Sequence, residues 1–244
     1  MLKSRYNIFL GPAYLLRGYQ LLFTKGLKRY VIIPVLINTL IFTLALWIGF
    51  HWIGRLSELL PHSLHFFKIF FDMIYFLMVS FLFVYVFTIA TNLMGAPFNS
   101  FLSAKVERMI SIEHLPTESR GILHEIKRTI KREGRKGLYY LPRLLGVLIL
   151  FFIPGVNMIA GILWFLLSAW IMAIEYFDYP MDNKKESFDA TRAFIRKNFI
   201  VCFSFGITVS VAAMIPIVNF MVVPAAVIGA TCLYKRVVSK ASVI

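Results

Sequence analysis

A five-residue phrase occurs twice in this chain, each time inside a long stretch that carries no charge. Ile153-Pro154-Gly155-Val156-Asn157 interrupts the run from Leu144 to Ile174, and Ile215-Pro216-Ile217-Val218-Asn219 interrupts the run from Asn198 to Tyr234. Inside a helix a proline removes a backbone donor and collides with the preceding turn, and a nearby asparagine supports a turn. Each run is therefore predicted to fold back on itself at the phrase. A crossing of the hydrocarbon core takes about 20 apolar residues at about 1.5 Å each, whereas each arm of the first run holds only about 13–15, or roughly 20 Å. Two re-entrant, partly penetrating hairpins (144–174 and 198–234) are expected, with one kinked transmembrane helix per run as the competing reading. Broken helices persist at membrane depth only where protein or a watery cavity covers the freed backbone, a geometry of channels and transporters.

Composition agrees with a membrane class: hydrophobic residues make up 59% of the chain and mean hydropathy is +0.75, above the usual range of soluble domains. The 26 Lys and Arg against 12 Asp and Glu give a net charge of +14. In a soluble protein that excess suggests nucleic acid, but here it lies between the apolar runs, where membrane topology puts it. No nucleic-acid partner is expected. Lipid headgroups or an anionic substrate account for the charge better. Cys202 and Cys232 lie thirty residues apart in apolar surroundings, without metal or redox spacing, and are expected to be small hydrophobes. The first 29 residues hold Lys3, Arg5, Arg17, Lys25, Lys28 and Arg29 and no acid. No small-residue cleavage site precedes the first long apolar segment, which should act as an uncleaved anchor.

Along the chain, residues 1–29 read as an interfacial helix, from about Pro12 to Phe23, followed by a basic loop. Residues 30–54 are long enough to form a first spanning helix, and 73–104 a second. Asn92 to Asn99 is small and polar enough to bend or leave the lipid. Residues 105–143 carry ten basic and five acidic side chains. Within them Ile122, Leu123, Ile126 and Ile130 line one helical face and Lys127, Arg128, Lys131 and Arg132 another. An amphipathic cytoplasmic helical region is predicted, ended by Gly134 and Gly137. The connection 175–197 separates the hairpins. The fold class is thus an all-α integral membrane protein forming one membrane domain over 1–244. The N-terminal, central and C-terminal basic parts share one face, predicted cytoplasmic.

Chemistry has few places to reside. No Ser-His-Asp spacing, H-E-x-x-H or Walker-type loop occurs, so no catalytic residues, metal or cofactor are expected. Gly26-Leu27-Lys28-Arg29 lies between the interfacial helix and the first spanning helix, with Thr24 in position to cap. Exposed amides there attract anions, Gly26 admits close approach, and Lys28 and Arg29 add charge-assisted hydrogen bonds. The plain alternative is two basic residues obeying the positive-inside rule. Lys105, Glu107 and Arg108 follow the second long run and would form a polar pathway element if buried, or a solvated helix start if not. Glu175, Asp178 and Asp182 read as an aromatic belt and helix-ending loop at the membrane face in preference to a cation site.

At these residues the chain resembles the CysZ-type sulfate transporters of bacteria, over essentially its whole length. The resemblance rests on Gly11-Pro12-x-Tyr14-Leu15-x-Arg17-Gly18, Gly26-Leu27-Lys28-Arg29, Ala96-Pro97-Phe98-Asn99 with Lys105-Val106-Glu107, and Tyr139-x-Leu141-Pro142-Arg143. It also rests on Ile-Pro-Gly-Val-Asn and Glu175-Tyr176-x-Asp178-Tyr179-Pro180-x-Asp182-Asn183. It implies two spanning helices and two partly penetrating hairpins in a homo-oligomer of the inner membrane that supplies sulfate for cysteine synthesis. It also implies sulfate bound at Gly26, Leu27, Lys28 and Arg29. Lys28 stands where the motif more often has arginine, which keeps the charge and loses the planar fork. Glu107 and the histidines at 51, 62, 65, 114 and 124 are candidate proton carriers, and no ATP-binding motif is present. A non-transporting membrane scaffold binding anionic headgroups is the alternative from a different class.

Overall fold

The structure is a computed structural model, and it describes residues 7–24, 26–29, scattered positions from 32 to 51, 68–110 and 122–241. About half of the expected first spanning segment, 30–54, falls outside these residues, and all of its described positions are helical. His62, His65 and His114 lie outside them. The ordered elements are α1 (Leu10–Leu22), α2 (Lys68–Ile110), α3 (Ile122–Leu150), α4 (Asn157–Asn183), α5 (Phe188–Lys197), α6 (Phe199–Ala213) and α7 (Pro216–Ala241). No strand occurs among the described residues. The chain divides into two units, Met1–Lys28 with Asn99–Ile244, and Arg29–Phe98.

The first unit is organised around close backbone approaches at glycines. A side-chain carbon added at Gly18 of α1 would lie 2.0 Å from the carbonyl oxygen of Ala225 in α7, and one at Gly11 would lie 2.5 Å from the amide nitrogen of Phe205 in α6. Only glycine allows helices to meet at that distance. The helix predicted as interfacial therefore has a protein-facing side, burying Leu10, Tyr14, Leu15 and Leu22. Its other side exposes Phe9, Leu16 and Phe23.

Both repeated phrases lie at turns. Residues 151–156 turn between α3 and α4, with Gly155 at φ +83, and residues 214–215 turn between α6 and α7. The arms of the first hairpin are longer than expected. α3 has 29 residues and α4 has 27, the latter about 40 Å long at helical rise. Gly134 and Gly137 do not end a helix; both lie inside α3. The expectation stopped the arms at the first charge, but these charges face one another and let both helices continue. Each mid-helix glycine costs only about 1 kcal/mol.

In α2, 43 residues run without a break through Asn92–Asn99. The polar residues at its end find partners on other helices, described below. By length and composition, α4 and residues Met221–Ser239 of α7 are two helices able to cross a membrane. α5 and α6 meet at Asn198 with a bend of 102° and pass the same test as a pair.

Candidate functional site

The loop after α1 is built from short-range bonds. The Thr24 amide donates to the Leu21 carbonyl at 3.0 Å, and the Leu27 amide donates to Thr24 at 3.3 Å. The Thr24 hydroxyl donates back to Leu21 at 2.7 Å. The hydroxyl completes the end of α1, where a carbonyl has lost its helical donor. Gly26 adopts φ +96, a conformation that L side chains rarely take. Leu27 is 1% exposed and anchors the loop, while Gly26, Lys28 and Arg29 stay exposed. Lys28 and Arg29 fall in different units of the chain.

Of the expected trio after the second long run, only Glu107 is buried, at 3% exposure; Lys105 is half-buried and Arg108 exposed. One Glu107 oxygen receives Lys184 Nζ at 3.2 Å, and the other has no hydrogen-bond partner. Lys184 also sits 5.1 Å from the centre of the Tyr234 ring. Glu107 belongs to a polar stripe along the end of α2. Asn99 Nδ2 donates to the Tyr179 hydroxyl at 3.3 Å, Ser100 Oγ donates to Asn183 Oδ1 at 2.8 Å, and Ser103 shares a 2.9 Å hydrogen bond with Thr231. Spacing of three and four residues places these groups on one helical face. Two stretches that read as separate in sequence, Asn99–Ser100 and Tyr179–Asn183, dock on each other.

Glu175, Asp178 and Asp182 differ most from expectation. The expected loop is not there: they lie inside α4, on one face, and meet one face of α3 in an antiparallel ladder. Arg128 pairs with Asp182 through both guanidinium nitrogens. Arg132 Nε donates to Asp178 Oδ2 at 2.9 Å, and Lys136 Nζ lies 3.0 Å from the same oxygen and 3.3 Å from Glu175. Thr191 of α5 donates to Asp178 Oδ1 at 3.0 Å. Burial opposes the charge on Lys136, but Glu175, Asp178 and Glu133 outweigh it and raise its pKa well above the ordinary lysine value. Burial likewise opposes the charge on Arg132, and its bond to Asp178 together with the Asp178 and Asp182 charges more than compensates. Each side of the ladder keeps to one helical face: Arg128, Arg132 and Lys136 recur every four residues, and the three acids follow at three and four. Arg128 and Arg132, expected on the basic face of an amphipathic helix, close it from α3 together with Lys136.

His51, a candidate proton carrier, stacks on Trp47 with ring centres 5.7 Å apart. Tyr139 accepts from Trp170 Nε1 at 3.1 Å and carries Arg143 over its ring at 3.6 Å. Among the described residues, no group of three or more His, Cys, Asp or Glu could hold a metal ion.

A family profile described as sulfate transporter CysZ/etoposide-induced protein 2.4 matches residues 14–224. A sulfate transporter CysZ of Pseudomonas aeruginosa is 41% identical over 234 residues, covering 93% of this chain and 94% of the relative. The protein of that name from Salmonella typhimurium is 37% identical over 230 residues, covering 92% and 91%. One from Pectobacterium atrosepticum is 35% identical over 230 residues, covering 92% and 84%.

Proposed function

The chain belongs to the CysZ family of sulfate transporters, and from that premise we propose that it moves sulfate inward across the bacterial inner membrane, supplying cysteine biosynthesis. The observation that carries this reading is the near-complete, two-way coverage with relatives named for sulfate transport. A multi-pass helical protein suits it: long apolar helices cross, or dip into, the bilayer, and the basic segments stay on the cytoplasmic face. In this reading 30–54 and 73–104 span, 144–174 and 198–234 form hairpins shielding the path, and the protein works as a homo-oligomer in contact with lipid. Large exposed apolar side chains on the first hairpin, such as Leu141, Ile149, Phe152, Met158 and Ile162, fit burial in lipid or against another copy.

Sulfate is met first at Gly26, Leu27, Lys28 and Arg29. Three local features support that assignment: positive φ at Gly26, a buried anchor at Leu27, and two adjacent exposed cations at Lys28 and Arg29. Lys105, Glu107 and Arg108 belong further along the path, with Glu107 the buried member. An inside-negative potential opposes a dianion by about 4.6 kcal/mol per 100 mV, whereas a tenfold gradient offsets only about 1.4 kcal/mol. Uncoupled flow therefore works only against low cytoplasmic sulfate, and co-import of two protons cancels the charge.

The test is radiolabelled sulfate flux into proteoliposomes of the full-length protein. Saturable uptake is expected, with a fall of about tenfold or more in Lys28→Ala/Arg29→Ala, the loss of two charge-assisted contacts. Absence of flux in the wild type overturns transport and leaves a headgroup-binding scaffold. Wild-type flux in the double variant overturns the site alone.

A further inference from the structure

The glycine contacts of α1 fix its direction in the first unit. The Tyr14 carbonyl lies against Gly229, and the Ala225 carbonyl lies against Gly18. Four residues forward on α1 thus match four residues back on α7, an antiparallel pairing. At one end the Arg236 guanidinium donates to the Tyr14 hydroxyl at 3.2 Å, close to the C-terminal tail. At the other end the Tyr19 hydroxyl donates to the Val218 carbonyl at 3.0 Å, inside the second copy of the repeated phrase. The same register sets Leu22 level with Met221. The loop that follows, with Leu27 buried and Gly26 and Lys28 exposed, is then level with the turn between α6 and α7.

Helix length converts that level into a depth. Trp170 donates to the Tyr139 hydroxyl at 3.1 Å, beside Arg143, and its ring centre lies 5.9 Å from that of Phe199. Aromatic rings beside a cation, where the charged base gives way to apolar arms, mark a boundary between water and membrane. From Phe199, α6 runs 15 residues to Ala213, about 21 Å, against about 30 Å for the hydrocarbon core. The surface at that level is apolar: Met214, Ile215 and Ile217 at the turn and Phe23 after α1 are all exposed. A charge held among such side chains persists only where it reaches water or protein. Towards the ladder the bundle is filled by buried Phe205, Val209, Ala225 and Ile228. Water therefore reaches Lys28 from the other side.

We propose that the Gly26–Arg29 loop faces the side of the membrane opposite the Arg132 ladder and the C-terminal tail, and that sulfate reaches it through water from that side. Resting on the reading of this loop as the sulfate site, the placement makes it the exception among the basic segments. The base of α3 and the C-terminal tail keep the cytoplasmic face, while the loop collects the anion from outside. Helix α1 then lies along the second hairpin, penetrating with it.

The experiment labels two cysteines in one molecule. Full-length protein carrying Cys202→Ala/Cys232→Ala, Lys28→Cys and Arg135→Cys is reconstituted in sealed liposomes. A membrane-impermeant quaternary-ammonium maleimide labels the outward-facing thiols. After permeabilisation its isotopically heavy form labels the rest, and intact mass counts both. One light and one heavy label are expected on every molecule, whichever way it is inserted. The control pair Arg135→Cys and Lys197→Cys, both exposed at the base, should carry two light or two heavy labels. The proposal is overturned if the Lys28→Cys pair also carries two labels alike, or if Lys28→Cys takes none, since water then fails to reach the loop. External sulfate should slow the outside label at Lys28→Cys severalfold and leave Arg135→Cys unchanged. Loss of that protection alone strikes the sulfate reading and leaves the placement standing, so the two fail separately.

Discussion

The two hairpins share a phrase and differ in what holds their arms in place. In the first, α3 and α4 meet through the Arg128, Arg132 and Lys136 ladder to Asp182, Asp178 and Glu175, with the Tyr139–Trp170 contact beside it. Towards the turn its side chains are largely exposed, and Phe151 and Trp164 meet edge to face at 6.2 Å. In the second, α6 and α7 bury Val201, Phe205 and Val209 with Ala225, Ile228 and Leu233. There glycines bring backbones together, Gly206 onto Ala169 of α4 and Gly229 onto Tyr14 of α1. One hairpin is closed at its base by charge; the arms of the other pack through small residues against neighbouring helices, α6 on α4 and α7 on α1. The turns differ accordingly. Gly155 supplies positive φ in the first, whereas in the second Pro216 opens α7 at a position where its missing donor costs nothing.

Arg132→Ala should have the largest effect. It leaves the Asp178 carboxylate buried with its main partner gone, a loss of about 3–5 kcal/mol, read as a lower melting midpoint of the full-length protein in detergent. Arg132→Leu/Asp178→Leu removes both charges and should recover most of that loss, because two desolvated ions are replaced by apolar volume. A single variant that melts like wild type would mean that the ladder does not hold the first hairpin.

Gly206→Ala probes the other mode. Its new carbon would lie 2.0 Å from the Ala169 carbonyl oxygen, so α4 and α6 must separate, at about 1–3 kcal/mol. The same substitution at Gly155 meets open space, and only the strain of its φ of +83 opposes it, at about 1 kcal/mol. At the second turn Ile217 is 90% exposed, and Ile217→Ala should stay within about 0.5 kcal/mol. Equal costs at Gly206 and Gly155 would erase the distinction between a hairpin packed by backbone and one closed by charge.

Much of this contrast could be read before any coordinates. Helical class and both turn positions follow from proline chemistry and uninterrupted apolar runs. Arm length did not follow, because counting stopped at Arg143 and Glu175, and the charges beyond them serve the helices by pairing across the hairpin. Pairing depends on antiparallel register, which the turn fixes and composition does not. The same reason hid the docking of Asn99, Ser100 and Ser103 on Tyr179, Asn183 and Thr231: each looked like polarity bound for water. In the Gly26–Arg29 loop the residue types were legible, whereas the anchoring of Leu27 and the backward bond of Thr24 depend on tertiary contacts.

The last difference concerns pH, because the base of the first hairpin buries a lysine. Lys136 is 2% exposed, and the surrounding carboxylates raise its pKa well above the ordinary value despite burial. A lysine whose folded pKa exceeds its unfolded value stabilises fully below the unfolded value, about 10.4. That contribution is lost as pH rises through the folded value. Melting midpoints should therefore show no Lys136 contribution to pH dependence near neutrality and a fall beginning above about pH 10.4. Lys136→Met should melt lower throughout, since Glu175 and Asp178 lose a partner, and should lack that alkaline step. The two profiles must then converge as pH rises, because the wild type approaches a state in which Lys136 is neutral. Parallel profiles across the alkaline range would instead mean that Lys136 acts there by packing its aliphatic stem, and the first hairpin would then be closed by contact much as the second is.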